Sequence, residues 1–274
     1  MEIERFLAEN DFSANTEDRY RRALKLAEKE LGNLEDLEPV KFKAWLGSRG
    51  WGSSSQWIAF CAVRKYLRWK FGDQHPGLKA RMRRLASAPQ RALNAEQVIK
   101  LLASFDRRKI KGIRDLAICA LMLDTGLRKS EICRLSTLHV DLASQKCKVI
   151  VKGGSWGEGV FSEITKLYMS EWFSVRVELA KCEACFINTW TGKALTRDGL
   201  STMVRRWGEK IGIKLTPHDL RRTFAVLSTR AGAPARVLQV AGRWSSLEMV
   251  EHYTSKITSD DFRPWFPVAW VMEN

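Results

Sequence analysis

TPHDLRRTFAVLSTRAGAPARVLQVAGRWSSLEMVEHYT, residues 216–254, is the stretch whose reading decides the rest. Thr216 suits an N-cap and Pro217 a first helical position, so a helix is expected to begin here. Leu220, Phe224 and Leu227 recur at helical spacing and predict its buried face. His218 and Arg221 are three apart and share another face. They stand near the helix start, where free N–H groups and the helix dipole favour an anion. Gly232 should end this helix and Pro234 begin the next. Trp244 and Tyr253 follow, with an N-cap expected at Ser245 or Ser246 between them.

Upstream, GIRDLAICALML at 112–123 is apolar enough for a buried helix. Asp124-Thr125-Gly126 stops it, with Gly126 expected in the left-handed conformation. Arg128 then opens a short helix over 129–134, and Glu131 is placed to hold its guanidinium. Residues 137–164 change texture: CKVIV and GVFSEI run at strand length, broken by GGSWGEG. They predict a small antiparallel sheet with a hairpin at about 153–159 and Lys152 at its mouth. Helices are expected at 166–180 and, behind a Thr196 cap, at 196–211.

Residues 1–86 read as a separate all-helical unit, with helices at 2–9, 16–31, 39–48 and 54–71. Thr16 is the expected cap of the second, and Leu31-Gly32-Asn33 its stop. Small residues and Pro89 make 87–92 a linker, and Asn94 with Gln97 forms a capping-box variant beyond it. The remainder, 93–274, forms a second domain ending in an apolar tail with Trp265, Phe266 and Trp270. The fold class is therefore mainly α with a small antiparallel sheet.

HDLRRTFA, the Gly-x-Trp and HYT together resemble the C-terminal signature of the tyrosine recombinases, or phage integrases. DTGLRKSEICRL at 124–135 resembles that family's first arginine motif, and VIVKGG at 149–154 its lysine hairpin. The hairpin turn departs from the family's basic form, lacking a second lysine and adding Glu158. The resemblance covers 92–257 and, more weakly, 1–86, which resembles a core-binding (SAM-like) bundle that clamps DNA. It implies a catalytic set of Arg128, Lys152, His218, Arg221, Trp244 and Tyr253. It also implies a homotetramer on a double-stranded DNA site, monomeric or weakly associated when free, with the C-terminal tail docking into a neighbour; the sequence equally allows the tail to pack on its own domain.

Formal net charge is +15, which points to a polyanionic partner. Arg64, Lys65, Arg68, Arg81, Arg83, Arg84, Arg205 and Arg222 are the candidate DNA contacts. Arg222 reads equally as a salt-bridge residue, and such basic runs often form only a solvated face. No signal peptide or run of 18 apolar residues is present, so the expected place is the cytoplasm, on the nucleoid. Six cysteines without a signal do not read as a disulfide framework, and Cys182-x-x-Cys185 lacks a second pair to complete a zinc site.

The chemistry implied is transesterification of a DNA phosphodiester. Arg128 and Arg221 suit the non-bridging oxygens, since guanidinium matches phosphate bidentately. Trp244 can donate from its indole N–H but cannot accept a proton. His218 bonds phosphate or takes a proton, Lys152 is the acid, and Tyr253 is the nucleophile. His252 points about 100° away from Tyr253 on a helix and is not expected to serve. A phosphotyrosyl link conserves bond energy, so neither ATP nor a metal cofactor is called for. Two other readings fit part of these features: a type IB topoisomerase-like nicking-closing enzyme, and a non-catalytic helix-turn-helix DNA-binding protein.

Overall fold

A computed structural model describes residues 2–83, 91–151 and 154–254, with 252–254 described through their backbone only. The chain divides into two units, Met1–Pro89 and Gln90–Asn274.

The first unit is helical. Helices α1 (Glu2–Ala8), α2 (Ala14–Leu31), α3 (Pro39–Ser48) and α4 (Ser53–Phe71) precede a 3-10 turn at Pro76–Lys79. Its core holds Phe6, Leu24, Phe42 and Leu67, with Phe6 edge-on to Tyr66 at 5.5 Å between centroids. Gly32, at φ 77°, stops α2 as the sequence predicts. Thr16 does not cap that helix. It lies in the first turn and bonds the hydroxyl of Ser13, the actual N-cap position, at 2.9 Å.

Arg64 is half-buried, and its guanidinium turns back onto the carbonyls of Leu78 and Ala80, pinning the chain that follows α4. Lys65, Arg68, Arg81 and Arg83 are exposed; Arg68 pairs with Asp73 at 2.5 Å.

The second unit is built around one buried helix. Helix α5 (Ala95–Ala103) starts at the predicted capping box, with Asn94 and Gln97 bonded reciprocally. Helix α6 (Ile110–Thr125) follows and is buried along nearly its whole length. That explains its sequence: a helix enclosed on all sides is apolar all round. Its one buried charged pair is Arg114–Asp115, and the pair is fully bonded; Lys111 and Asp124, near the helix ends, are not buried. Arg114 Nε donates to Asp115 at 2.8 Å, and its Nη1 to the Ile187 carbonyl at 3.0 Å. The Trp207 indole donates to the other Asp115 oxygen at 2.8 Å. A buried ion pair is tolerated when its remaining polar atoms are satisfied in this way.

Helix α7 (Lys129–Arg134) leads to strands β1 (Val140–Asp141), β2 (Lys146–Ile150) and β3 (Trp156–Val160). They form one antiparallel sheet in the order β1-β2-β3, with Cys147 opposite Gly159 and Ile150 opposite Trp156. The hairpin turn is tighter than the sequence suggested. Val151 N–H bonds the Ser155 carbonyl at 2.9 Å, and Trp156 through Gly159 are already strand. Tryptophan is a good strand former, and the glycines of GEG are held by pairing rather than used as a turn.

Helix α8 (Glu163–Arg176) begins three residues earlier than expected, because Ser162 caps it by accepting from Thr165 N–H. Helix α9 (Arg197–Lys210) is capped by Thr196, as predicted. The last three helices are α10 (Pro217–Arg230), α11 (Ala235–Gly242) and α12 (Leu247–Thr254). Thr216 caps α10 in a capping box with Asp219, and Gly232 follows the helix end at φ 90°. Ser246 immediately precedes α12. Around α6 the core includes Leu116, Met122, Ile132, Trp172 and Leu220. A smaller cluster joins Phe224, Leu238, Trp244 and Val250. Lys152, Arg84 and the apolar tail beyond Thr254 lie outside the described residues.

Gly126 positions the site, because the chain must turn left-handed there, at φ 59°, to leave α6. A Cβ at this position would also stand 2.4 Å from Phe224 Cδ1. Gly126→Ala is expected to destabilise by about 2–4 kcal/mol, about 1 from the conformation and about 1–3 from overpacking. A urea midpoint equal to wild type would contradict this.

Candidate active site

The turn that Gly126 makes sets the position of Arg128. Arg128 occupies the N-cap position of α7, and Glu131 one turn later grips it twice. Arg128 Nη1 donates to Glu131 Oε1 at 2.8 Å, and its backbone N–H to Oε2 at 2.8 Å. The Glu131 carboxylate is buried, whereas Arg128 keeps 31% of its side chain exposed. The pairing is the one the sequence spacing allowed, and the buried carboxylate shows that it is not an ordinary surface pair.

Arg221 departs from the expected exposed face. It is 2% exposed, and its neighbours Leu220, Thr223 and Phe224 are buried with it. The guanidinium donates from Nη1 to the Gly126 carbonyl and from Nη2 to the Gly242 carbonyl at 2.6 Å. Its carbon also lies 4.7 Å from the centroid of the Trp244 ring. A cation over an indole in a desolvated setting is worth roughly 2 kcal/mol. Trp244 is itself buried and stacks on Phe224 at 6.1 Å between centroids. Helical periodicity misreads Arg221 because the segments on either side of α10 close over it.

His218 stands in the first turn of α10, beside Arg222 and Arg221. His218 keeps an exposed face, but the protein atoms crowded around its ring push its pKa from 6.5 down to about 4, and the positive charges of Arg222, Arg221 and Arg128 add to this; Asp219 works the other way. The imidazole is therefore neutral at neutral pH. Arg222 pairs with Asp219 at 2.9 Å, so of its two sequence readings the salt bridge is the one observed. Arg205 is exposed and reaches Glu209 at 3.7 Å.

Tyr253 lies in the last turn of α12, a helix that packs on α10 and α11. Its side chain is outside the described atoms, as is all of Lys152. Among the described members of the predicted set, Arg128, His218, Arg221 and Trp244 converge on the corner between α6 and α7. Cys182 is exposed and Cys185 buried, both as free thiols.

Sequence reasoning missed one residue of this corner. Arg243 sits between Gly242 and Trp244 and is buried, with 6% of its side chain exposed. It donates to the carbonyls of Thr125 at 2.9 Å, Ala241 at 2.7 Å and Glu158 at 3.1 Å. Burial lowers its pKa. Its only sequence signal is negative, an arginine where a helix ends and a glycine is the usual left-handed residue.

The fold thus gathers three arginines, a histidine and a tryptophan at one corner of the second unit. Residues 91–259 match the phage integrase family, and the chain belongs to it. Tyrosine recombinase XerD of Staphylococcus haemolyticus is 27% identical over 267 residues, covering 93% of this chain and 90% of that protein. Tyrosine recombinase XerA of Thermococcus kodakarensis is 28% identical over 238 residues, covering 85% and 81%. Among solved structures, the Tn1549 transposon integrase in complex with transposon right-end DNA superposes with a TM-score of 0.77 at 18% identity, covering 96% of this chain and 98% of that one. XerH recombinase bound to palindromic difH substrate gives 0.71 at 20% identity, covering 94% and 80%.

The depressed His218 pKa has a measurable sign. Between about 4 and 6.5 the unfolded chain binds a proton that the folded chain refuses. Stability contributed by neutral His218 is therefore whole above pH 6.5 and declines as pH falls toward 4. In NMR, the His218 ring carbon should show no titration step between pH 5.5 and 8 in the DNA-free protein. A midpoint near 6.5 would show that the imidazole is solvated.

Proposed function

We propose that this chain is a site-specific DNA recombinase that cleaves and rejoins strands through a 3′-phosphotyrosine link to Tyr253. The observation that carries the reading is the convergence of Arg128, Arg221 and Trp244, with a neutral His218 beside them, on one buried corner. Preorganised cations in a site poor in water stabilise charge that develops on a phosphate far better than solvated ones do.

In this reading the Tyr253 hydroxyl oxygen forms a bond to phosphorus as the bond to the 5′ oxygen breaks. His218, neutral, accepts the tyrosine proton or donates to a non-bridging oxygen. Arg128 and Arg221 neutralise the charge on the non-bridging oxygens, Trp244 packs beneath Arg221, and Lys152 protonates the leaving 5′ oxygen. The reverse reaction with a 5′ hydroxyl from a partner strand completes exchange, through a Holliday junction between two sites. Four protomers act together, the C-terminal tail linking neighbours. The first unit serves as a DNA clamp, with Lys65, Arg68, Arg81, Arg83 and Arg84 on phosphates. Arg205 contacts DNA from the second unit. Such an enzyme works on the nucleoid; no helix among the described residues is long and apolar enough to cross a membrane.

Relatives named as recombinases, one matching over 93% of this chain, favour this reading over a topoisomerase. The same recombinase relatives disfavour the helix-turn-helix reading, which leaves the grouping of Arg128, Arg221 and Trp244 unexplained.

A DNA substrate nicked so that the released 5′ end diffuses away tests the reading. Wild type is expected to give a metal-independent covalent band on a denaturing gel, and Tyr253→Phe none. Salt-dependent binding with no adduct on any Holliday junction or duplex would return the chain to the DNA-binding class.

A further inference from the structure

We propose that Arg243 is a positioning residue that holds Arg128 and strand β3 in register for strand cleavage; the proposal rests on the recombinase reading above. Three observations carry it. Arg243 adopts a left-handed backbone at φ 54°, one of two non-glycine residues with positive φ among the described residues. A side chain persists in that conformation where its surroundings over-determine it. Here the surroundings do so: the guanidinium reaches carbonyls on three elements, Thr125 at the end of α6, Glu158 in β3 and Ala241 in α11. A lysine has no planar fork with which to span them.

The second observation concerns Arg128. Its Nη2 donates to the Arg243 carbonyl at 3.3 Å, while Glu131, which grips Arg128, lies 3.7 Å from the Arg243 guanidinium. Arg243 thus contacts both anchors of Arg128, one with its backbone and one with its charge. The third is shape. A Cβ on Gly157 would stand 2.8 Å from Arg243 Cδ, so the bare backbone of β3 is the surface on which the arginine lies. Nothing in this arrangement requires Arg243 to touch DNA. Its work is to fix what does.

The test uses the full-length protein, Arg243→Gly and Arg243→Lys. Glycine relieves the backbone and removes the strut; lysine keeps the charge and loses the fork. Two readouts are taken. The first is the single-turnover rate of covalent adduct formation on the nicked substrate, beside the Kd for the same DNA. Arg243→Gly is expected to bind within about threefold of wild type and to cleave on the order of ten- to a hundredfold more slowly, as a misplaced catalytic group does. Guanidinium ion added at millimolar concentration should restore part of the glycine variant's rate, and lysine should not substitute. The second is amide hydrogen exchange without DNA. Protection of β3 should fall in Arg243→Gly, while exchange in the first unit stays unchanged. A wild-type cleavage rate in Arg243→Gly, or a loss of DNA binding equal to the loss of rate, would overturn the positioning role. Unchanged exchange in β3 would overturn the strut itself, whatever the activity. If wild type forms no adduct, the recombinase reading fails and the catalytic part of this proposal fails with it, while the exchange result still judges the strut.

Discussion

Two arginines close the corner on which this domain depends. Arg221 takes the carbonyls of Gly126 and Gly242, and Arg243 takes those of Thr125 and Ala241. The end of α6 and the end of α11 both point exposed peptide oxygens toward the same interior space. Carbonyls left unbonded there would each cost about 1–3 kcal/mol. Helix C-termini also carry partial negative charge, which a guanidinium complements. The arginines therefore resolve a problem of helix termination at the same time as they gather positive charge.

That charge is held under tension. Arg128 and Arg243 share one buried carboxylate, Glu131, Arg221 is held by carbonyls and the Trp244 ring, and Asp219 is engaged by Arg222. Burying cations is costly, and the arrangement endures because carbonyl dipoles and the Trp244 ring stand in for water. His218 responds to the same field: positive neighbours and the atoms crowded around its ring keep it uncharged, and an anion would make protonation easier.

Much of this was legible in the sequence, for reasons that are local. Gly126 and the TGLR corner could be read because only a glycine turns cheaply into the left-handed conformation. Thr216-Pro217, Asn94 with Gln97, and Thr196 could be read because capping uses residues within one turn. The Arg128–Glu131 pair is likewise three residues apart. What the sequence hid is tertiary. Arg64 looks like any member of a basic run until the chain at residues 78–80 passes beside it. Arg221 sits at the spacing of an exposed face and is buried because residues 126 and 242 approach from outside α10. Arg243 is isolated from every partner by at least 84 residues of chain except Ala241, and no periodicity announces it.

Gly157 and Arg243 illustrate a further result of this packing. The arginine's methylenes rest where a side chain on β3 would be, so neither position can drift alone. A larger residue at 157 collides with the long side chain at 243, while a shorter residue at 243 leaves a hollow over 157. Val151 Cγ1 would stand 2.8 Å from the same Cβ, so the bare position at 157 answers to two neighbours and not to the arginine alone. The glycine at 157 thus records two contacts at once, one from within its own hairpin and one from an arginine more than eighty residues further along the chain.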